Sequence, residues 1–330
     1  MKIAVVILNW NGAELLRKFL PSVVEFSSEA SVYVADNAST DASVSILESE
    51  FPSVKIIQNK ANYGFAKGYN EALKFVGADV FVLVNSDIEV TENWLQPIVE
   101  TFENEPQTAI IQPKILDYKN KEYFEYAGAA GGFIDKYGYP FCRGRIFDAI
   151  EKDAHQYDDN CNIFWASGAC FFIRSSVFKD LNGFDADFFA HQEEIDLCWR
   201  AFNKGLNAKY VFGSKVYHVG GATLQQGNPQ KTFLNFRNSL LMLCKNLPKN
   251  QLFPILFVRM LLDGIAAIQF LSKGKTRHFL AVAKAHSSFY YHFLSNFKKR
   301  GNQQNNSYFK VNSVVYSHFF SGISDFKNLF

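Results

Sequence analysis

The chain has 330 residues, 48% hydrophobic and 16% aromatic, which excludes a disordered or collagen-like protein and supplies apolar surface for about two domains. Its formal net charge of +2 hides an asymmetry: residues 231–330 carry 14 basic and 2 acidic side chains, net +12, against net −10 for residues 1–230. Five cysteines, far apart and without a C-x-x-C pair, exclude a cysteine-based zinc or redox motif and point to a reducing compartment. The apolar run Ile3–Leu8 is too short for a signal peptide, so a cytoplasmic protein is expected, and no nucleic-acid partner is.

In chain order, β-branched runs at 2–8, 31–36, 54–59, 79–85 and 109–115 alternate with helical patterns at 13–26, 41–50, 65–76 and 91–104, with Thr40 and Thr91 as expected N-caps. This alternation predicts a parallel α/β sheet. Residues 117–163 read as an irregular insertion over one side of the sheet. FWASGACFFIR at 164–174 then predicts a buried strand pair around Gly168, SSVFKDLNGF a short helix and turn, and 188–205 a helix ended by Gly205. A strand at 210–221 brings His218 near its end, and a basic, Phe-rich helical region follows.

Open α/β sheets bind ligands beyond the carboxyl ends of their strands. Here those ends are all polar: Asn9-Trp10-Asn11-Gly12, Asp36 to Asp41, Asn59 to Gly64, and Asn85-Ser86-Asp87. No G-x-G-x-x-G follows the first strand, and Gly274-Lys275-Thr276 has Gln269 where a P-loop needs glycine, which removes the dinucleotide and P-loop folds. A strand-end carboxylate such as Asp36 can accept the N3–H of a uracil or thymine ring; the same residue type also closes Asx-turns. Asp87 can bind a divalent cation whose other ligands are diphosphate oxygens, or can serve as a turn aspartate.

The ordered segments VVILNWNG, VADNASTD, NYGFAKGYN, VNSD, FWASGAC, EEIDLCWR and VYHVGG resemble inverting family 2 nucleotide-sugar glycosyltransferases of the GT-A fold, over roughly residues 3–240. The resemblance extends to the rhamnosyltransferase-like branch that makes bacterial cell-surface polysaccharide, including NFRN at 235–238 and a hydrophobic basic tail. It implies a mostly parallel sheet flanked by helices in a catalytic domain at 1–240, with a basic, aromatic-rich helical module at 241–330. It further implies a UDP- or dTDP-sugar donor and a saccharide or lipid-linked saccharide acceptor.

Carried over residue by residue, the resemblance assigns the base to Asp36 and the length of the nucleotide to Asn9, Asn11, Asn62 and Gly64. Asn85 and Ser86 join the donor site, Asn85 standing where a D-x-D motif has its first Asp. Asp87 and His218 become the ligands of a divalent cation, Mn²⁺ or Mg²⁺, imidazole favouring Mn²⁺. Glu194 falls at the general-base position, where the family usually has Asp after Glu, with Glu193 before it. Trp165, Gly168 and Ala169 are expected at the junction of donor and acceptor, Trp165 stacking on a sugar or packing in the core. Arg237 is expected to meet the diphosphate or to lie on a helix surface, and an Asp196–Arg200 pair on a solvated face is expected to contribute ~0.2–0.5 kcal/mol. A non-catalytic sugar-binding protein and a nucleotidyltransferase are the competing classes.

The basic tail contains LFPILFVRMLLDGIAAIQFL at 252–271, long enough to span a bilayer but carrying Arg259 and Asp263 near its middle. Flanking basic clusters at 273–278 and 298–300 predict peripheral attachment to an anionic membrane surface at the inner face of the cell membrane.

Overall fold

A computed structural model describes residues 1–220 and 227–330. Thirteen strands are formed by the described residues: β1 (Ile3–Asn9), β2 (Ser31–Asp36), β3 (Lys55–Gln58), β4 (Val80–Asn85), β5 (Ile88–Val90), β6 (Thr108–Asp117), β7 (Gly132–Ile134), β8 (Pro140–Cys142), β9 (Arg145–Ile146), β10 (Ala149–Ile150), β11 (Cys161–Ile163), β12 (Cys170–Arg174) and β13 (Asn207–His218). The helices are α1 (Ala13–Glu25), α2 (Ser43–Glu50), α3 (Gly64–Ala72), α4 (Gln96–Asn104), α5 (Ser175–Asp180), α6 (Glu193–Asn203), α7 (Pro229–Asn246), α8 (Lys249–Ser272), α9 (Thr276–Lys298) and α10 (Val314–Phe319).

The main sheet runs β11, β13, β6, β12, β4, β1, β2, β3, with β5 also paired to β13. Strands β4, β1, β2 and β3 are parallel, as their βαβ connections require. β12 enters between β4 and β6 antiparallel to both, so the fifth predicted strand does not extend the parallel ladder directly. Alternation along β1 sends Ile3, Val5 and Ile7 to one core layer, under α1 and α4, and Ala4 and Val6 to the other, under α3 and α6.

Several expectations are corrected. Residues 117–163 hold a four-stranded antiparallel sheet, β10, β9, β8, β7, built from strands of two or three residues that carry no readable period. Around Gly168 there is one strand, β12, rather than a pair. Thr40 and Thr91 cap nothing: Asp41 Oδ1 accepts from the Ser43 amide beside α2, while the Thr91 hydroxyl donates to the Lys215 carbonyl. The helix expected at 188–205 starts only at Glu193, because Phe189, His191 and Gln192 all have positive φ. At its other end Gly205, at φ +77°, closes the helix as expected.

The boundary at 240 falls inside α7, where Leu240 to Leu247 are buried in the same core as the sheet. The charge asymmetry therefore does not coincide with a break in packing.

Candidate active site

Parallel pairing sets Asn9 at the end of β1 beside Asp36 at the end of β2. The Asn9 side-chain amide donates to Asp36 Oδ1 at 3.0 Å, the Ser39 hydroxyl donates to the same oxygen at 2.6 Å, and the Ser39 amide donates to Oδ2 at 2.8 Å. Asp36 is thus a buried Asx-turn carboxylate. Of its roughly four lone-pair positions three are taken, leaving one on Oδ2. Asn11, held at φ +50°, ties the two loops together: its amide donates to Ser39 Oγ and its side-chain oxygen accepts from the Thr40 amide. Gly12 is required here, since a Cβ would sit 2.4 Å from Asn9 Oδ1.

The third strand end continues the same pattern. Asn59 donates to Asn37 Oδ1, and Asn37 donates to the carbonyl of Gly64. Asn62 accepts from the Gly64 amide, and Gly64 must be glycine on two counts, its φ of +71° and a Cβ that would strike Phe189 at 2.7 Å. Asn9, Asn11, Asn62 and Gly64 therefore form one continuous rim, with Asn62 exposed.

At the end of β4, the Asn85 amide donates to the Ala169 carbonyl, and Asn85 Nδ2 lies 3.5 Å from His218 Nε2. Ser86 Oγ borders Gly12. Asp87 and His218, both buried, meet across the sheet, with Asp87 Oδ1 3.1 Å from His218 Nε2. On the other side of the ring, Nδ1 is 3.2 Å from Glu125 Oε1. Burial works against a charged imidazole, but the adjacent carboxylates of Glu125 and Asp87 outweigh it, and the His218 pKa is pushed up to about 10. Burial would likewise raise Asp87; the hydrogen bond and charge of His218 prevail, and its carboxyl is lowered.

No three His, Cys, Asp or Glu donors converge on a single point among the described residues. Asp87 and His218 nonetheless suit a divalent cation: one oxygen and one nitrogen donor about 3 Å apart match an edge of an octahedron with ~2.1 Å bonds. The remaining positions would fall to oxygens from a ligand.

The second half of the site is the start of α6. Glu193 and Glu194 occupy its first two positions, directly after the left-handed stretch, and one carboxylate oxygen of each is shut off from solvent without a hydrogen-bond partner. Burial raises Glu194 to about 7 against the pull of nearby backbone amides, and burial plus the charge of Glu194 raises Glu193 well above the usual carboxylate range. His191 Nε2 and Gln192 Oε1 are also unpartnered, and His191 is lowered to about 4 by burial, with a smaller contribution from the charge of Lys231. Three strained backbone positions and four unpartnered polar groups in adjacent residues are characteristic of a site that a ligand completes.

Gly168 connects the two halves. A Cβ on it would lie 3.7 Å from Glu194 Cγ and 3.3 Å from Phe65, while the next residue, Ala169, binds Asn85 beside the Asp87–His218 pair. Trp165 does not reach this junction: its ring is buried against Gly132 and its Nε1 donates to the Phe133 carbonyl, so the core alternative holds.

Arg237 also departs from expectation. Its Nη2 donates to the carbonyls of Asp187 and Phe188 and its Nε to Asn238, while Asn238 donates to the carbonyls of Phe188, Ala190 and His191. The NFRN motif thus clamps α7 onto the strained loop before α6. Asp196 is fully buried rather than solvated, bonded to Arg200, Lys245 and Asn246, so the small surface-pair value does not apply. The last Gly of VYHVGG lies outside the described residues. Sequence reasoning did not single out Glu125, since an acid among glycines and aromatics in an insertion has no spacing to mark it.

The family model described as "Glycosyl transferase family 2" matches residues 4–181, more than half of the chain. The chain belongs to glycosyl transferase family 2. Its relatives include the N-acetylglucosaminyl-diphospho-decaprenol L-rhamnosyltransferase of Mycobacterium tuberculosis, 24% identical over 230 residues that cover 65% of this chain and 75% of that protein. The name of that relative agrees with the resemblance to the rhamnosyltransferase-like branch.

Two solved structures are similar in fold at 15% identity. GalNAc-T7, determined with UDP, GalNAc and Mn²⁺, has a TM-score of 0.61, covering 90% of this chain and 58% of its own. The mannosyltransferase PcManGT from Pyrobaculum calidifontis, with GDP-Man and Mn²⁺, has a TM-score of 0.52, covering 87% of this chain and 74% of its own. The glycosyltransferase therefore has the expected GT-A fold, with β12 as the antiparallel interruption of its mostly parallel sheet.

Proposed function

We propose that this glycosyltransferase moves a sugar from a UDP- or dTDP-sugar, with inversion, to a hydroxyl of a saccharide or lipid-linked saccharide acceptor in cell-surface polysaccharide synthesis. The observation that carries the reading is the unpartnered Glu194 carboxylate against Gly168, which the Ala169–Asn85 hydrogen bond links to Asp87 and His218.

In this reading Asp36 uses its remaining Oδ2 lone pair for the N3–H of uracil or thymine, and Asn9, Asn11, Asn62, Gly64, Asn85 and Ser86 line the nucleotide sugar. Asp87 and His218 hold Mn²⁺ or Mg²⁺. A bound divalent cation supplies positive charge against the leaving diphosphate. Glu194 takes the acceptor hydroxyl proton as the acceptor oxygen bonds to the anomeric carbon and the bond to diphosphate breaks, a contribution usually worth ~10²–10⁴-fold. A carboxylate raised towards neutrality is matched to that task. Gly168 and Ala169 shape the junction, Glu193 supports Glu194, and Arg237 orients the loop rather than meeting the diphosphate.

The glycosyltransferase is further proposed to work at the inner face of the cell membrane. α8 is the one helix among the described residues long and apolar enough to cross a membrane. Its Arg259 and Asp263 are buried against the protein, Arg259 donating to the Tyr137 carbonyl and Ser239, while Phe253, Phe257, Leu261, Ile265 and Ile268 form an exposed stripe at i, i+4 and i+3 spacing. A helix tied to its own domain along one face and apolar along the other suits lying on a bilayer. The name of the mycobacterial relative, which includes a decaprenol-linked sugar, supports a lipid-linked acceptor.

Three measurements test the proposal. UDP- or dTDP-sugars with Mn²⁺ should raise the thermal midpoint, by ~2.7 kcal/mol of stabilisation at 100 times Kd, and should be hydrolysed slowly without acceptor. Protein that no nucleotide sugar stabilises and that hydrolyses none would refute the donor reading. Protein that ignores anionic liposomes would refute the membrane reading.

A further inference from the structure

Outside the residues assigned above, the described part of the molecule places one buried carboxylate directly on the proposed cation site. Glu125 lies in the insertion between β6 and β7, and its side chain is 5% exposed. Oε2 accepts from the Ala127 amide at 2.6 Å, and Oε1 lies 3.2 Å from His218 Nδ1, a buried ring nitrogen that has no other partner and makes no hydrogen bond in this geometry. The Glu125 amide donates to the Ile115 carbonyl of β6, so the backbone that carries it is fixed to the sheet. Gly220, at φ +71°, closes the space beyond, where a Cβ would come within 3.0 Å of Oε1.

Asp87 and Glu125 lie on opposite nitrogens of one imidazole, Asp87 on Nε2 and Glu125 on Nδ1. A neutral imidazole has one N–H and one lone pair, so a cation held by Asp87 and Nε2 leaves the N–H on Nδ1, towards Glu125. Histidines that bind metals commonly donate their second ring N–H to a carboxylate, which sets ring orientation and raises basicity.

We propose that Glu125 is a positioning residue of the cation site: it accepts the His218 Nδ1–H, fixes the ring, and turns the Nε2 lone pair to the side where Asp87 stands. The inference rests on Asp87 and His218 being the cation ligands. It gives the insertion a role beyond covering the sheet, since this segment sets how tightly the strand-end pair holds its ion. Glutamine does not reproduce the site, because with its oxygen on the Ala127 N–H its NH₂ faces Nδ1 and favours the opposite tautomer, with the N–H on Nε2.

The test measures Mn²⁺ binding to the full chain with UDP present, by calorimetry and by the electron paramagnetic resonance signal of free Mn²⁺, in wild type, Glu125→Gln, Glu125→Ala, Asp87→Ala and His218→Ala. Expected for Glu125→Gln is Mn²⁺ affinity weakened ~10–100-fold. UDP affinity in EDTA should stay near wild type, the thermal midpoint without metal should fall while the protein remains folded, and kcat at saturating Mn²⁺ should recover to within a few-fold. Unchanged Mn²⁺ affinity in folded Glu125→Gln or Glu125→Ala overturns the proposal, as does a lowered thermal midpoint with intact affinity, which would make Glu125 only a buried ion-pair partner. Turnover that saturating Mn²⁺ fails to restore overturns it in favour of Glu125 as a ligand. If Asp87→Ala and His218→Ala also bind Mn²⁺ normally, the cation reading itself has failed, an outcome separate from failure of Glu125→Gln alone.

Discussion

The strand-end site and the C-terminal helices treat polarity in opposite ways. At the strand ends, Asn9, Asp36, Asn37, Asn59, Asp87 and His218 are buried and cross-bonded, and apolar groups are mostly withdrawn, Trp10 excepted. Along α8 the ions Arg259 and Asp263 are buried while Phe257, Leu261 and Ile265 face outward. Buried polar groups at the first region fix donors and acceptors before any ligand arrives, which lowers the reorganisation a reaction must supply. Buried ions at the second fix the rotation of a helix, and thereby which apolar face is presented. The same cost, desolvation of polar groups, yields a binding site in one place and an oriented surface in the other.

The sharpest break of this comparison is at Glu194. Glu194→Gln should keep donor binding near normal and lose ~10²–10⁴-fold in turnover, read by steady-state kinetics. Because the base must be unprotonated and its pKa is raised to about 7, wild-type activity should climb as pH passes through about 7, and any residual Glu194→Gln activity should lack that limb. Glu193→Gln is the control; an inactive Glu193→Gln beside an active Glu194→Gln would move the base by one residue.

Arg259→Ala tests the second region. It leaves Asp263 buried with only His286, 3.2 Å away, as partner, and removes the bonds to Tyr137 and Ser239. Denaturant unfolding should show a loss of ~3–5 kcal/mol, the usual cost of breaking a buried pair from one side. A loss near zero would mean that the ions do not orient α8.

Asp36→Ala should weaken UDP- or dTDP-sugar binding by ~1.5–3 kcal/mol, the range for a hydrogen bond to a charged group, while Mn²⁺ binding stays intact. Equal donor affinity by calorimetry would reduce Asp36 to its turn. The smallest folding effect belongs to the exposed stripe: Phe257→Ser with Ile265→Ser should shift stability by only ~0.5 kcal/mol per site, yet release the protein from anionic liposomes in a sedimentation assay. Retained sedimentation would transfer the attachment to the basic clusters.

Read from residues alone, the parallel strands were legible within a residue or two, because β-branched runs bounded by polar turns carry their own period. The strand-end residues were legible for the same topological reason. The insertion was not, since strands of two or three residues have no period, and neither was the start of α6, where φ angles that run against residue preference are imposed by clamps from α7.

What the sequence determined by itself is therefore local and periodic: the βαβ order, the polar strand ends, the ordered family motifs, and the apolar yet basic tail. Tertiary structure alone decided the roles that depend on which face a side chain meets. It turned Trp165 into the core, spent Arg237 and Asn238 on the loop carbonyls, buried Asp196 and Arg259, and set Glu125 against His218 from 93 residues away. Periodicity records whether a residue is inward or outward within its own element. Only packing between elements brings a partner from elsewhere in the chain, and a buried polar group takes its function from that partner.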